Sequence, residues 1–325
     1  MSERAGVETI LLDSVSFFAY MNSTQSMSFA DDATGRYLDV NNAFLNLLGY
    51  TRDEVVGKTS MELALYEDRD EREKALDLLR RCGTLNDHPV IIKSKCGEKK
   101  FGRISSVLLD MYGINIRFTI MKDETDRVIY EQKLSQLFDQ AISAISKVSE
   151  LRDAYTAGHQ KKVEQLACAI AVEMGLPDNS VKNIATGALL HDIGKIYIAP
   201  DILNKPSVLS EIEMKIIQSH PQLGYEVAKE IDFPPEVPKM IYQHHERLDG
   251  SGYPDGIKEP DIILESRILA VADVVAAMSS HRPYRPALKC EAILDEITRN
   301  KHTKYDGAVV DACLKVLKRK SAANP

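Results

Sequence analysis

Seven residues in the second half of the chain have types that suit metal ligation: His159, His191, Asp192, His220, His244, His245 and Asp273. Imidazole and carboxylate without cysteine suit iron, manganese, zinc or nickel, whereas magnesium and calcium prefer all-oxygen shells. Seven ligands are too many for one ion. Two ions sharing a carboxylate would use them well, and Asp192 is the expected bridge and catalytic carboxylate. Ions about 3.5–4 Å apart can hold a bridging hydroxide and clamp a phosphodiester for in-line attack. Lys195, four residues after His191, is expected on the same helical face, where it could meet a phosphate. Arg282 and Arg285 suit bidentate phosphate binding or stacking on a base.

Each residue also has a plain structural reading. His159 follows Gly158 and could cap a helix. His220 precedes Pro221 at a helix junction. Asp273 lies in an apolar run and would need a buried partner. The two arginines could be an exposed turn. His244 and His245 could end a helix facing its macrodipole, with the glycines beyond as a stop. Yet neighbouring helical side chains point about 100° apart, so both imidazoles cannot share one buried face. The glycines Gly250 and Gly252 allow close backbone approach to a ligand, and Pro254 stiffens the exit. Taken together, the cluster is assigned to metal.

The pair His191-Asp192, the pair His244-His245 and the triplet Gly252-Tyr253-Pro254, in this order, resemble the HD-GYP family of metal-dependent phosphohydrolases. The resemblance covers about residues 150 to 320. It implies an all-α domain that hydrolyses cyclic dinucleotides, with Asp192 bridging the metals. Lys195, Arg282 and Arg285 would face the substrate, and Tyr253 would lie near it. The expected substrate is cyclic di-GMP, opened to linear pGpG; a second cut would give GMP. Two departures stand out. Some members carry glutamate four residues before the first histidine, where it helps hold a third metal; here Tyr155 implies two metals, iron or manganese. Many carry an acid three residues after the last aspartate; here it is Ala276. The alternatives are a catalytically weak cyclic di-GMP receptor, a phosphodiesterase for another cyclic dinucleotide such as 3'3'-cGAMP, and a mononucleotide phosphohydrolase.

The elements that must position these residues read as helix after helix. Apolar spacing predicts helices over 161–174, up to Leu190, 262–278, 287–299 and 308–317. Asp178 and Ser180 are expected caps, and Ser210-Glu211-Ile212-Glu213 is a capping box. An all-α bundle around the site is the expected architecture.

The first half is mixed. Strands are expected at Phe29, 36–40, 90–92, 104–111 and 114–121, with a short helix after Asn41 closed by Gly49. With Val40-Asn41-Asn42-Ala43-Phe44, Leu48-Gly49-Tyr50-Thr51 and the exit Lys122 to Arg127, it looks like a PAS sensor domain: an α+β fold, an antiparallel sheet with flanking helices. The ligand of that domain is unknown from sequence. His88 is its one histidine, more simply a surface residue before a strand than a haem ligand. Between the halves, Leu134, Phe138, Ala141, Ile145 and Val148 recur at heptad-like spacing. They fit an amphipathic helix or a parallel coiled coil joining two chains. The expected layout is a flank over 1–22, the PAS-like domain over 23–124, a helical connector over 125–152 and the phosphohydrolase domain over 153–322.

At 325 residues, two domains are expected. The net charge of −7 argues against duplex nucleic acid as a partner. No run of roughly 18 apolar residues suggests a membrane span. Five scattered cysteines and a start without a signal-peptide pattern suit a reducing, cytoplasmic setting. The expectation is a homodimeric bacterial signalling enzyme.

Overall fold

The computed structural model describes residues 14–111, 113–152, 158–280 and 288–323, without the side chains of 320–323. The chain divides into two compact units, Met1–Ser135 and Gln136–Pro325.

The first unit opens with helix α1 (14–22). Strands β1 (Ser26–Asp31), β2 (Tyr37–Val40), β3 (Thr84–Lys93), β4 (Lys99–Met111) and β5 (Ile114–Asp123) form an antiparallel sheet in the order β2-β1-β5-β4-β3. Helices α2 (Asn42–Leu48), α3 (Arg52–Val55) and α4 (Arg69–Cys82) lie between β2 and β3 in the chain. Val40, Phe44, Leu48, Leu79, Ile92 and Ile104 pack into one core. Strand β3 begins six residues before the expected Val90, so His88 lies within it, half-buried opposite Ile104. Helix α4 has no counterpart in the sequence reading. Its surface is charged and it buries only Ala75 and Leu79; Asp68 starts it by accepting from the amides of Asp70 and Glu71.

The expected cap Asn41 does more than start α2. It is fully buried, and its Oδ1 accepts from Phe44 N and Met27 N, both at 3.0 Å. Its Nδ2 donates to Tyr20 O and Gln25 O. One amide thus ties α1, β1 and α2 together with every polar atom satisfied.

Helix α5 (Thr125–Arg152) carries the chain across the division. The second unit continues with α6 (His159–Glu173), α7 (Asp178–Leu190), a 3-10 helix (Ile193–Tyr197), α8 (Pro200–Leu203), α9 (Glu211–Ile217), α10 (His220–Ala228), α11 (Glu236–Gln243), α12 (Leu264–Met278), α13 (Cys290–Arg299) and α14 (Gly307–Ala323). No strand occurs among its described residues. Its core is almost wholly aliphatic, with Ile170, Ile184, Ile241, Leu269 and Ile297 completely enclosed. The Ser210 capping box forms as expected. The cap of α7 does not: Pro177 occupies that position, and Asp178 and Ser180 fall inside the first turn. Proline fixes the extended entry, which leaves Asp178 to favour the helix dipole instead. No described helix is long and apolar enough to cross a membrane.

Replacing Asn41 by alanine should strand buried partners and cost about 2–4 kcal/mol in the first unit. Asn41→Asp, which keeps both accepted bonds but sets a carboxylate oxygen against the Tyr20 and Gln25 carbonyls, should cost at least as much. Urea unfolding followed by circular dichroism reads both; a loss below about 1 kcal/mol in each would show that the amide's bonds carry little stability.

Candidate metal centre

The helical scaffold delivers the seven candidate ligands from helix ends and one helix interior. His159 opens α6 and His220 opens α10. His191 closes α7 and His244 closes α11, each at the C-cap, with Asp192 and His245 next in line. Asp273 projects from the buried face of α12. Short helices ending in histidine bring rings together that no single helical face could present.

Three of the rings are held in the same way. His191 Nδ1 donates to Ala188 O at 2.7 Å, His220 Nδ1 to Ile217 O at 2.7 Å, and His244 Nδ1 to Ile241 O at 2.8 Å. A carbonyl oxygen can only accept, so each Nδ1 carries a proton, and in the neutral form of each ring Nε2 presents a lone pair inward. His220 Nε2 and His244 Nε2 lie 3.2 Å apart. Asp192 sits among them with its two oxygens divided: Oδ2 lies 3.4 Å from His191 Nε2 and Oδ1 3.3 Å from His220 Nε2. Asp273 Oδ1 lies 3.0 Å from His159 Nε2 and 4.0 Å from His191 Nε2. These atoms form three overlapping groups with metal-ligand spacing: His159, His191 and Asp273; His191, Asp192 and His244; His220, His244 and His245. This donor set fits divalent transition ions, because lone pairs converge with few protons to share among them.

Burial shapes the electrostatics. It pushes His191, His244 and His245 below the ordinary imidazole value, which favours the neutral rings a metal would need. Burial would raise Asp192, but the Lys195 ammonium heads the charges that reverse it, and the carboxyl is held well below its usual range. Asp273 is likewise opposed by burial and held down by the hydrogen bond from His159.

Lys195 does not share a helical face with His191, because α7 has already ended. The chain tightens into the 3-10 helix, where Lys195 Nζ meets Asp192 Oδ2 at 2.8 Å. Tyr253 stacks on His245, with ring centroids 4.6 Å apart. Arg282, Arg285 and Tyr155 lie outside the described residues. Ala276 is buried in the aliphatic core.

Two glycines set how closely the pieces approach. A Cβ on Gly194 would lie 2.0 Å from His220 O, so only glycine lets the turn after Asp192 pack on α10. A Cβ on Gly252 would meet the backbone of His245 to Arg247 at 2.5 Å. The close approach expected toward a ligand is in fact backbone against backbone, folding the loop onto the histidine pair. Glu246 holds that loop: buried, its Oε1 accepts from Asp255 N at 2.9 Å and Gly256 N at 3.2 Å.

Sequence reading missed Glu246, Ser149 and Glu150. Ser149 Oγ on α5 donates to Asp192 O at 3.1 Å. Glu150 accepts from Gly158 N at 3.0 Å and Gln160 N at 3.2 Å, on either side of His159. A buried serine and an acid near a helix start were the available signals, but both look like ordinary connector residues.

Comparison with known proteins agrees with this division. A family model described as HD domain matches residues 143–309, and one described as PAS domain matches residues 25–126. The chain is 38% identical over 178 residues to the cyclic di-GMP phosphodiesterase response regulator RpfG of Xanthomonas campestris pv. campestris, covering 54% of this chain and 47% of that protein. It is 34% identical to 3'3'-cGAMP-specific phosphodiesterase 3 of Vibrio cholerae (54% and 38% covered) and 38% identical to a cyclic di-GMP phosphodiesterase of Thermotoga maritima (55% and 49% covered). The chain therefore spans half or less of the length of these relatives.

Unfolding lets His191, His244 and His245 take up protons near 6.5, which the buried rings resist. The unfolded state then binds more protons, so the stability that these rings contribute is present above 6.5 and is lost as pH falls below it. Asp192 and Asp273 act in the same direction below 3.8. Chelator-stripped protein should show a falling urea midpoint between about pH 7.5 and about pH 5.5. A flat or rising midpoint would contradict the buried neutral cluster.

Proposed function

The chain belongs to the HD domain family, and from that premise we propose a metal-dependent phosphodiesterase that opens cyclic di-GMP to linear pGpG, under the control of its PAS domain. The observation that carries the reading is the inward convergence of the His220 and His244 lone pairs beside a divided Asp192 carboxylate. His159, His191 and Asp273 would hold one ion and His220, His244 and His245 a second, with one Asp192 oxygen for each. Iron or manganese suits this nitrogen and carboxylate set. Bound there, such ions supply Lewis-acid polarisation and make water a competent nucleophile near neutral pH.

The protein's own groups do the rest. Asp192 stays ionised through the pH range of catalysis. Lys195, held against Asp192, places its ammonium where a non-bridging phosphoryl oxygen would arrive. Tyr253 braces His245 and borders the substrate, and Arg282 and Arg285 would grip the second phosphate. Water attacks one phosphorus in line and the 3′ oxygen leaves. Relatives named for 3'3'-cGAMP support that dinucleotide as the second reading. The burial of Ala276 makes its departure from the family pattern a packing matter, which weighs against a binding-only receptor. The five free cysteines fit a cytoplasmic location.

Helix α5 supports a parallel homodimer. It buries Ile142, Ser146 and Ser149 on one side. Outward, Tyr130, Leu134, Leu137, Ala141, Ala144, Val148 and Leu151 repeat at alternating spacings of four and three, all exposed. This stripe is longer than the expected one and leaves out Ile145 and Phe138, the latter with its ring 6.2 Å from that of Phe233. A seam kept to the heptad period over three turns of the repeat suits a second copy of the same helix.

Protein purified without oxygen or chelators should contain about two iron or manganese ions per chain. It should convert cyclic di-GMP to pGpG faster than it converts 3'3'-cGAMP. Asp192→Asn should lose both metal and turnover while keeping its helical circular dichroism. Metal-loaded protein that binds the dinucleotide without product would favour the receptor; absence of metal, unrescued by added iron or manganese, would sink the proposal. For the dimer, Leu137→Cys should cross-link on mild oxidation and Lys147→Cys should not; equal cross-linking would remove the seam.

A further inference from the structure

The core of the PAS domain is not filled by apolar side chains alone. Strand β1 turns Ser26, Ser28 and Ala30 inward. Strands β4 and β5 add Ser106, Arg117 and Thr119 to the lining. These small and polar residues stand where a sheet covered by helices ordinarily presents valine or isoleucine. They leave two internal voids, of about 50 Å³ and about 60 Å³. Ser28, Tyr37, Tyr66, Ile104 and Thr119 line both, so the two voids adjoin across these side chains.

The voids differ in chemistry. Phe44, Leu48, Leu65, Ile92 and Met121 surround the first. Ser60, Arg72, Ser106 and Arg117 mark the second, whose other unshared lining residues are aliphatic. Both guanidinium side chains are only 11% exposed. Their charge is incompletely answered. Arg117 pairs with Asp32, but Asp32 also serves Arg80. Arg72 donates from Nε to Ser60, lies over the Tyr66 ring at 5.8 Å, and has the exposed Glu73 as its carboxylate partner. No carboxylate is among the described residues lining either void.

Several polar groups there are waiting for a partner. Ser106 and Thr119 bond each other at 2.9 Å. The Ser28 hydroxyl, on a residue 7% exposed, and the Tyr37 and Tyr66 hydroxyls have no hydrogen-bond partner among the described residues. Buried polar groups in native proteins are almost always satisfied, by protein, water or ligand. Water alone would answer the hydroxyls. It would not answer two sequestered guanidiniums at one end of a space whose other end is aliphatic and aromatic.

We propose that this space binds a short aliphatic carboxylic acid. Its carboxylate would meet Arg72 and Arg117, with the Ser28, Tyr37 and Tyr66 hydroxyls alongside, and its carbon chain would lie toward Phe44, Leu48 and Met121. The space is small, so length discriminates: a chain that overfills the apolar end must displace core side chains.

Calorimetry on metal-free full-length protein tests this without reference to turnover, so its outcome is independent of the phosphodiesterase reading. The probes are acetate, butanoate and hexanoate, with butanamide as the uncharged counterpart of butanoate. At least one acid should bind saturably, and butanamide should bind about tenfold more weakly or not at all. Arg72→Met should weaken the acid about tenfold or more. Ser28→Val, which fills the shared middle from the opposite wall, should weaken it too, and circular dichroism shows whether each variant folds. Equal binding of butanamide, retention of affinity in both folded variants, or no binding of any acid into the millimolar range would each overturn the proposal.

Discussion

The second unit depends on a shortage of protons. Three imidazoles spend their Nδ1 protons on backbone carbonyls three residues back, and their Nε2 lone pairs then face one another and Asp192. Burial keeps His191 and His244 from taking up a second proton. The arrangement is costly unless a cation sits among the lone pairs, and the aliphatic core around it exists to hold the rings in place regardless. The ends of α7 and α11 and the starts of α6 and α10 are therefore placed by the site as much as by packing. Gly194 belongs to the same constraint: without its bare backbone, Asp192 and His220 could not stand 3.3 Å apart.

The two units solve the problem of an interior in opposite ways. The helical unit isolates its polar groups in one dense cluster and leaves the remaining core aliphatic. The PAS domain scatters hydroxyls and two guanidiniums through its core and accepts unfilled space. Empty, under-bonded interiors lower local stability, and regions that respond to ligands tend to come from the less stable end of a protein's range. The fully satisfied Asn41 network, at the edge of that space, offsets part of this weakness.

What was legible in the sequence was mostly residue type. Histidines and aspartates in a run of helices are rare enough to be noticed, and alternation or helical spacing exposed most elements. What was hidden depended on direction. Lys195 reads as a helical neighbour of His191 until the helix is seen to end first. Gly252 reads as room for a ligand until it is seen against the backbone of His245 to Arg247. Ser26, Ser28 and Ser106 look like surface residues, because nothing in a serine announces that its strand turns it inward. Helix α4 was missed although Ala75, Leu79 and Cys82 recur at helical spacing behind the Asp68 cap, because charged residues fill its first turns.

Helix α5 joins two kinds of surface in one rod. One side offers the stripe from Tyr130 to Leu151, while Ser149 and Glu150 on the same last turns grip the backbone at Asp192 and on both sides of His159. An α-helix turns nearly as a rigid body, so a few degrees of axial rotation would become tenths of an ångström at those three hydrogen bonds. Coordination tolerates little more than that. The last turns of the connector are thus tied, like a hinge pin, to the backbone at Asp192 and beside His159.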